Sequence, residues 1–215
     1  MGKTALSGGM LIDGSGGEPI LNSLVLVEDK KIVYAGAAKP YGADYETRDI
    51  SGKTVMPGLV DTHLHFSGNL TADDTEWVLE DVIQKTVVAV QQAHECLEHG
   101  LTTVGEISRS GIQIRNMIEA GVMTGPRVVA SGRGFCRTCG HGDSHKLPSW
   151  YNEESHPWAE RVDGPWELRK AVRSRLRQDP DAIKIWSTGG GIWHWDKKTD
   201  QHYTMEEIQA VVDEC

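Results

Sequence analysis

The sequence predicts an α/β fold in which a small β unit precedes alternating strands and helices. Up to about residue 55, short strand-like runs are separated by glycine-rich turns, which is typical of small β structure. Beyond residue 55, short apolar runs alternate with longer segments of helical spacing, as in a parallel sheet with crossover helices. A chain of 215 residues can bury one sizeable core with a small second unit.

The N-terminal part contains one hairpin pattern. Residues 24–28 and 31–35 are apolar runs joined across Asp29 and Lys30, which predicts two antiparallel strands. The glycine-rich stretch at residues 13–17 predicts a loop. It is not a phosphate-binding loop, because the Gly-Lys-Ser/Thr ending of that motif is missing.

The second part predicts four strands, each followed by a helix. One strand begins at Leu59, and the others are expected at residues 102–107, 127–131 and 182–187. Helices are expected at residues 75–98, 112–120 and 165–178. A last helix begins at Thr204, which forms a capping-box pattern with Glu207, and ends with the chain. Loops are expected at residues 67–74 and 132–164 and from residue 188 onward.

A pair of histidines lies on the first of these strands. The turn signal Pro57-Gly58 precedes the strand, and alternate strand residues face one side, so Asp61, His63 and His65 share a face. Two imidazoles on one face can bind the same cation, and imidazole is a common ligand of zinc, nickel and iron. A metal site therefore explains this pattern better than a structural role does.

Lys184 stands inside the otherwise apolar fourth strand. A lysine is almost never fully buried without a partner. One interpretation is therefore an inward ion pair with a carboxylate such as Glu106 or Asp61. The other interpretation gives the amine a chemical role.

Two motifs resemble the metal-dependent amidohydrolase superfamily of the binuclear, carboxylated-lysine type. Residues 57–65, Pro-Gly-Leu-Val-Asp-Thr-His-Leu-His, resemble its first barrel strand, and residues 184–190, Lys-Ile-Trp-Ser-Thr-Gly-Gly, resemble its fourth. The similarity is to the branch of Xaa-Pro and Xaa-Arg dipeptidases and imidazolonepropionases. It implies that residues 1–55 are part of a small β-sandwich. Residues 56–215 would be four β/α units, the first half of a (β/α)8 TIM barrel.

The resemblance also implies two divalent metal ions, with zinc as the expected metal. His63 and His65 would be metal ligands. Lys184 would react with carbon dioxide to give a carbamate, and its two oxygens would each bind one ion of a two-metal site.

A loop histidine is the third part of the implied site. Gly140-His141-Gly142 resembles the Gly-Gly-His-Gly loop of this branch, with Cys139 in place of the first glycine. His141 would polarise the substrate carbonyl or bind the substrate carboxylate. Trp193 and Tyr151 are also expected to contact the substrate.

Other polar residues are expected to take no part in the chemistry. Glu106 is interpreted as an inner structural acid, and Cys136 and Cys139 as reduced thiols in a cytoplasmic protein. The histidines interpreted as loop residues are His145, His194 and His202.

Composition limits the classes of partner. The net charge of −9 argues against nucleic acid, because phosphate binding needs clustered Lys and Arg. No apolar run approaches the roughly 18 residues of a membrane span, and no signal peptide is visible. Composition therefore predicts no membrane or nucleic-acid partner, and the resemblance implies a small-molecule amide as the substrate.

By resemblance, the expected function is metal-dependent hydrolysis of an amide bond, as in a dipeptide or an N-acyl amino acid. One alternative is a deaminase of the same superfamily, but such enzymes often use one metal and lack the lysine found here as Lys184. Another alternative is a non-catalytic binding or scaffold protein. The presence of His63, His65 and Lys184 argues against that class.

The predicted barrel is only half complete. A (β/α)8 barrel needs about 250 residues, whereas about 160 follow residue 55. We therefore expect a complementary C-terminal chain or segment to complete the barrel and supply further ligands, two histidines and an aspartate by resemblance. Residues 1–215 alone are expected to be inactive, and the protein is expected to form a homo-oligomer.

Overall fold

The computed structural model describes residues 2–71, 73, 76–77, 80–150 and 156–215. The chain divides into two compact units, one ending at Gly58 and the other running from Leu59 to Cys215. Within the described part of the chain, no helix is long and apolar enough to cross a membrane.

The first unit is a small β structure. Its strands are β1 (Lys3–Ser7), β2 (Met10–Leu11), β3 (Ser23–Glu28), β4 (Lys31–Ala37), β5 (Glu46–Asp49) and β6 (Thr54–Val55). One sheet has the order β4-β3-β1-β5, and β2 pairs with β6. The predicted hairpin is confirmed as β3 and β4, with the turn residue Asp29 in the left-handed region at φ 55°.

The second unit contains a parallel sheet of order β7-β8-β9. Its strands are β7 (Leu59–Leu64), β8 (Leu101–Glu106) and β9 (Arg127–Ala130), connected by helices α1 (Val82–Glu98) and α2 (Gly111–Glu119). The helices and the sheet share one core, which includes Phe66, Ala89, Val104, Ile112 and Val128. The predicted α/β alternation is therefore confirmed for these elements, and the C-terminal ends of the strands lie at one edge.

The first helix is shorter than the sequence predicts. Of its expected start, residues 75, 78 and 79 lie outside the described part, and α1 begins only at Val82. Asp81 caps this start, since its carboxylate accepts hydrogen bonds from Ile83 N (2.8 Å) and Gln84 N (3.4 Å). Trp77 precedes the helix, and its indole N–H donates to Thr71 O (2.9 Å).

The segment predicted as the fourth strand, residues 182–187, is extended but is not a regular strand. Phe135 N donates to Lys184 O (2.8 Å) and Trp186 N donates to Phe135 O (3.0 Å), so the segment runs parallel to β10 (Gly134–Cys136). The parallel sheet β7-β8-β9 does not continue into this segment as a regular strand. β9 ends at Ala130, and Gly132, with φ 67°, turns the chain before β10 begins.

The region predicted as a loop at residues 132–164 contains two short strands instead. β10 pairs in parallel with β11 (Ala159–Arg161). Three-residue strands are too short to show an alternating pattern, so the sequence did not predict them. Tyr151 lies in this region but outside the described residues.

The last two helices are α3 (Pro165–Leu176) and α4 (Met205–Glu214). Pro165 occupies the helix start as predicted. The predicted capping box is also confirmed, since Thr204 Oγ1 accepts from Glu207 N (3.3 Å) and Glu207 Oε2 accepts from Thr204 N (2.8 Å). The buried residues shared by these helices and β10 include Phe135, Leu168, Val172 and Val211.

Candidate metal and substrate site

The two histidines of β7 and its C-terminal end lie next to each other. The ring centroids of His63 and His65 are 5.3 Å apart, with the rings nearly perpendicular. The pairing of β7 with β8 shifts register between Asp61 and Leu64. At this irregularity, the Asp61 carboxylate accepts a hydrogen bond from His63 N (2.9 Å). The two imidazoles thus lie together at the C-terminal end of β7.

His65 is held in one tautomer. Its Nδ1 lies 2.5 Å from Ile107 O, and because a carbonyl only accepts, Nδ1 carries the proton. The neutral ring then presents the lone pair of Nε2. Burial lowers the pKa of His65, and burial together with the charge of Lys184 lowers that of His63. Both rings are thus biased toward the neutral form that binds a metal.

Lys184 lies close enough for its charge to lower the pKa of both histidines. Burial lowers the pKa of Lys184 itself. Its Nζ is 5.4 Å from the centroid of the Trp186 ring, and no carboxylate of the described residues pairs with it. The inward ion pair with Glu106 or Asp61, one of the two interpretations of the sequence, is therefore absent from the described part of the structure.

Glu106 instead joins neighbouring backbone segments. Its side chain is 1% exposed and accepts hydrogen bonds from Phe66 N (2.9 Å) and Ser108 N (3.2 Å). Burial outweighs these bonds and raises the pKa of Glu106 to about 7. These contacts fit the interpretation of Glu106 as a structural acid.

His141 faces the same group of side chains through two tryptophans. The Trp158 ring centroid lies 5.4 Å from that of His65 and 5.9 Å from that of His141. The Trp186 ring lies 6.0 Å from His141 and 5.4 Å from Trp158. His141 is also close enough to His63 and His65 that a proton on its ring would lower the pKa of both. One neighbourhood thus holds both histidines, Lys184 and His141.

Trp193 contacts His141 through its indole, which donates to His141 O (3.1 Å). It therefore supports the loop that carries the ring, and its expected contact with substrate stays a prediction. Trp150 and Trp195, by contrast, are 75% and 61% exposed.

Two residues that shape this site were not predicted from the sequence. Asp196 is fully buried and lies 2.7 Å from His141 Nδ1. His202, interpreted as a loop histidine, is buried beside the same carboxylate, with Nε2 3.7 Å from Asp196 Oδ1. Both stand in an irregular segment without periodicity, and only the fold brings them to His141.

The chemistry of these residues fits part of a metal site. Among the described residues, no three or more His, Cys, Asp and Glu side chains are grouped so as to hold a metal ion. The bias of His63 and His65 toward the neutral form, the fixed tautomer of His65 and the lowered pKa of the partly buried Lys184 amine nevertheless match a metal's preference for deprotonated ligands. A carbamate on Lys184 would add oxygen donors to this set.

An incomplete α/β barrel with a histidine pair and a partly buried lysine at its strand ends defines a hydrolase-like class of protein. The sequence profile of the Amidohydrolase family matches residues 54–215, so the chain belongs to that family. This membership confirms the resemblance that the two sequence motifs indicated.

Several relatives are known. Ochratoxinase from Aspergillus niger is 28% identical over 229 residues, covering 99% of this chain and 48% of the relative. Its crystal structure matches with a TM-score of 0.85 at 27% identity. A prolidase in complex with N-methylphosphonate-L-proline matches with a TM-score of 0.84 at 27% identity, and the match covers 99% of this chain and 53% of the prolidase.

A 5-methylthioadenosine/S-adenosylhomocysteine deaminase from Symbiobacterium thermophilum is 27% identical over 205 residues, covering 86% of this chain and 45% of the deaminase. The chain spans about half the length of the curated relatives it matches. The predicted fold class, the first half of a (β/α)8 barrel after a small β unit, is confirmed by these structural matches.

Proposed function

We propose that this protein hydrolyses the amide bond of a small molecule such as a dipeptide or an N-acyl amino acid. The observation that carries the proposal is the grouping of His63, His65, Lys184 and His141 around Trp158. The similarity to ochratoxinase and to a prolidase supports this class of substrate.

His63 and His65 would hold divalent metal ions through imidazole nitrogens, with two zinc ions as the proposed complement. When bound, such ions polarise a carbonyl and lower the pKa of water. The protein's own contribution is to lower the pKa of both imidazoles, which favours their neutral form, and to aim the lone pair of His65 Nε2 by anchoring Nδ1 on Ile107 O.

Lys184 is proposed to become a carbamate. The lone pair of a neutral Nζ attacks the carbon of carbon dioxide, an N–C bond forms, and a proton leaves the nitrogen to water. The product carries one negative charge shared by two oxygens. Burial favours this step, because it lowers the pKa of the amine and so increases the neutral fraction.

His141 is proposed to contact the substrate, either at the scissile carbonyl or at a carboxylate. A contact with the carbonyl strengthens in the transition state, so its loss would lower kcat. A contact with a remote carboxylate acts on binding, so its loss would raise KM. The two roles are separated by the kinetics of His141→Ala on two substrates. One is an N-acyl amino acid, and the other is the same molecule with its carboxylate converted to a primary amide.

A further β/α segment, on the same or another polypeptide, is proposed to complete the barrel. Among the described residues, β7 pairs with β8 alone. Leu59 and Val60 on β7 are 48% and 63% exposed. An unpaired apolar strand edge is a surface for strand pairing. Expression of residues 1–215 alone should give no metal-loaded, active monomer, and obtaining one would contradict this proposal.

The test of the function is metal analysis combined with product analysis. About two metal ions per site with a carboxylic acid and an amine as products would support the amidohydrolase. The deaminase relative makes deamination the second candidate, which would give one metal ion and release of ammonia from an aminated ring. A protein without metal and without either activity would indicate a binding or scaffold role.

A further inference from the structure

The His141 ring is oriented by a buried carboxylate. Its Nδ1 lies 2.7 Å from Asp196 Oδ2, and the Asp196 side chain is 0% exposed. Asp196 also accepts hydrogen bonds from Gly190 N (2.8 Å) and Ile192 N (3.1 Å). Burial raises the pKa of Asp196, but the hydrogen bonds from His141, Gly190 and Ile192 outweigh it, so the pKa is lowered overall. Asp196 is therefore an anion.

An ionised carboxylate only accepts hydrogen bonds, so the proton between the two side chains belongs to His141 Nδ1. The neutral ring then carries its lone pair on Nε2. His202, the other ring beside Asp196, is too distant at 3.7 Å for a hydrogen bond, and burial lowers its pKa. His202 therefore donates no hydrogen bond to Asp196 that would compete with the one from His141 Nδ1.

The ring is also confined by its surroundings. A Cβ added at Gly190 would overlap the His141 ring, so the backbone of this glycine packs directly against it. Trp193 holds the His141 carbonyl, and Trp158 and Trp186 pack near the ring at centroid distances of 5.9 and 6.0 Å. Packing and the Asp196 contact together restrict the ring to one orientation.

We propose that Asp196 is a positioning residue that fixes His141 in the Nδ1–H form and so reserves Nε2 for the substrate. The substrate contact rests on the proposed function, whereas the tautomer does not. Asp196 itself does not touch the reacting groups. Its part is to decide which ring nitrogen is presented.

The experiment is 15N NMR of the histidine-labelled protein, with long-range proton–nitrogen correlations that report the tautomer of the neutral ring. Wild-type His141 should show a protonated Nδ1. In Asp196→Asn, the amide can donate to Nδ1, so the proton should move to Nε2.

Asp163→Asn is the matched control. The Asp163 carboxylate accepts from Thr138 N (2.9 Å) and Thr138 Oγ1 (2.6 Å), close in sequence to His141, and so steadies the same loop without contacting the ring. It should leave the tautomer unchanged. In the full active protein, Asp196→Asn should lower kcat/KM by roughly 10²–10⁴-fold, and Asp163→Asn by far less.

A wild-type His141 with its proton on Nε2 would overturn the proposal, as would an unchanged tautomer in a folded Asp196→Asn. The wild-type spectrum decides the first point even if the variant does not fold. If no amide is hydrolysed but the tautomer shifts as expected, the proposed function fails while the role of Asp196 stands.

Discussion

Arg115 on α2 donates from Nη1 to Asp181 Oδ2 over 2.7 Å, and this pair fixes the start of the segment that carries Lys184. The same carboxylate oxygen accepts from Ala130 N (2.8 Å), while Asp181 N donates to Ala130 O (2.8 Å). The Arg115 side chain is only 7% exposed. Asp181 thus connects the end of β9, the helix α2 and the lysine segment through one side chain.

Asp181→Asn should lower the free energy of unfolding by about 2 kcal/mol, because it removes the carboxylate closest to the buried Arg115. Asp179→Asn is the control. Its side chain is 100% exposed and lies 3.8 Å from Arg115, and asparagine tolerates its φ of 58°. The control should change stability by less than about 0.5 kcal/mol. Urea unfolding measures the free energy of unfolding of both variants. Equal decreases in the two variants would contradict the assigned role of Asp181.

Replacing either histidine of the pair should abolish bound metal and amide hydrolysis, because a metal site that loses one imidazole loses a ligand and its geometry. The variants are His63→Ala and His65→Ala. His94→Ala is the control, since His94 lies exposed on α1 beside Glu98. Metal analysis of the purified, complete protein gives the answer. Full metal content in His63→Ala or His65→Ala would contradict the assignment of these histidines as metal ligands.

Lys184 should carry an additional carboxyl group on Nζ, visible by mass or by density. Lys184→Ala should be inactive and should regain part of its activity when a short carboxylic acid is added, because the acid can supply two oxygens in place of the carbamate. Lys170→Ala serves as a control, since Lys170 is exposed on α3 and pairs with Glu167. An unmodified Nζ paired with a carboxylate in a metal-loaded protein would refute the carbamate.

Local sequence signals predicted the elements that depend on local chemistry. The hairpin at Asp29, Pro165 at the start of α3 and the Thr204–Glu207 capping box were all predicted, because each needs only neighbouring residues. The start of α1 was misplaced because helical spacing continues upstream of Asp81, whose capping bonds decide the boundary.

The candidate site could be predicted only in part, for a related reason. His63 and His65 are two residues apart, so the strand period alone predicts that they meet. Asp196 and His141 are 55 residues apart in irregular segments, and no period relates them. The short strands β10 and β11, which bring Trp158 beside His65, likewise depend on contacts between distant parts of the chain.

Glu106 should make the stability of the protein depend on pH. Its pKa is about 7 in the folded state against an ordinary value of 4.5, because burial disfavours the charged carboxylate. Between these values the folded state holds more protons than the unfolded state. The contribution is therefore fully present below pH 4.5 and is lost as the pH rises through 7. At about 1.4 kcal/mol per pKa unit, the loss is on the order of 3 kcal/mol.

Glu106→Gln removes this titration while keeping the shape of the side chain. The variant should be less stable than wild type at pH 5, because its NH2 group must face one of the two donors, Phe66 N or Ser108 N, while its oxygen accepts from the other. Between pH 5 and pH 8 the stability difference between wild type and variant should shrink by up to about 3 kcal/mol, since only wild type loses the Glu106 contribution. Urea unfolding measures the free energy of unfolding of both proteins at the two pH values. The other titrating groups are the same in both proteins, so their contributions cancel in the difference. A constant difference would show that Glu106 is already ionised in the folded protein at pH 5.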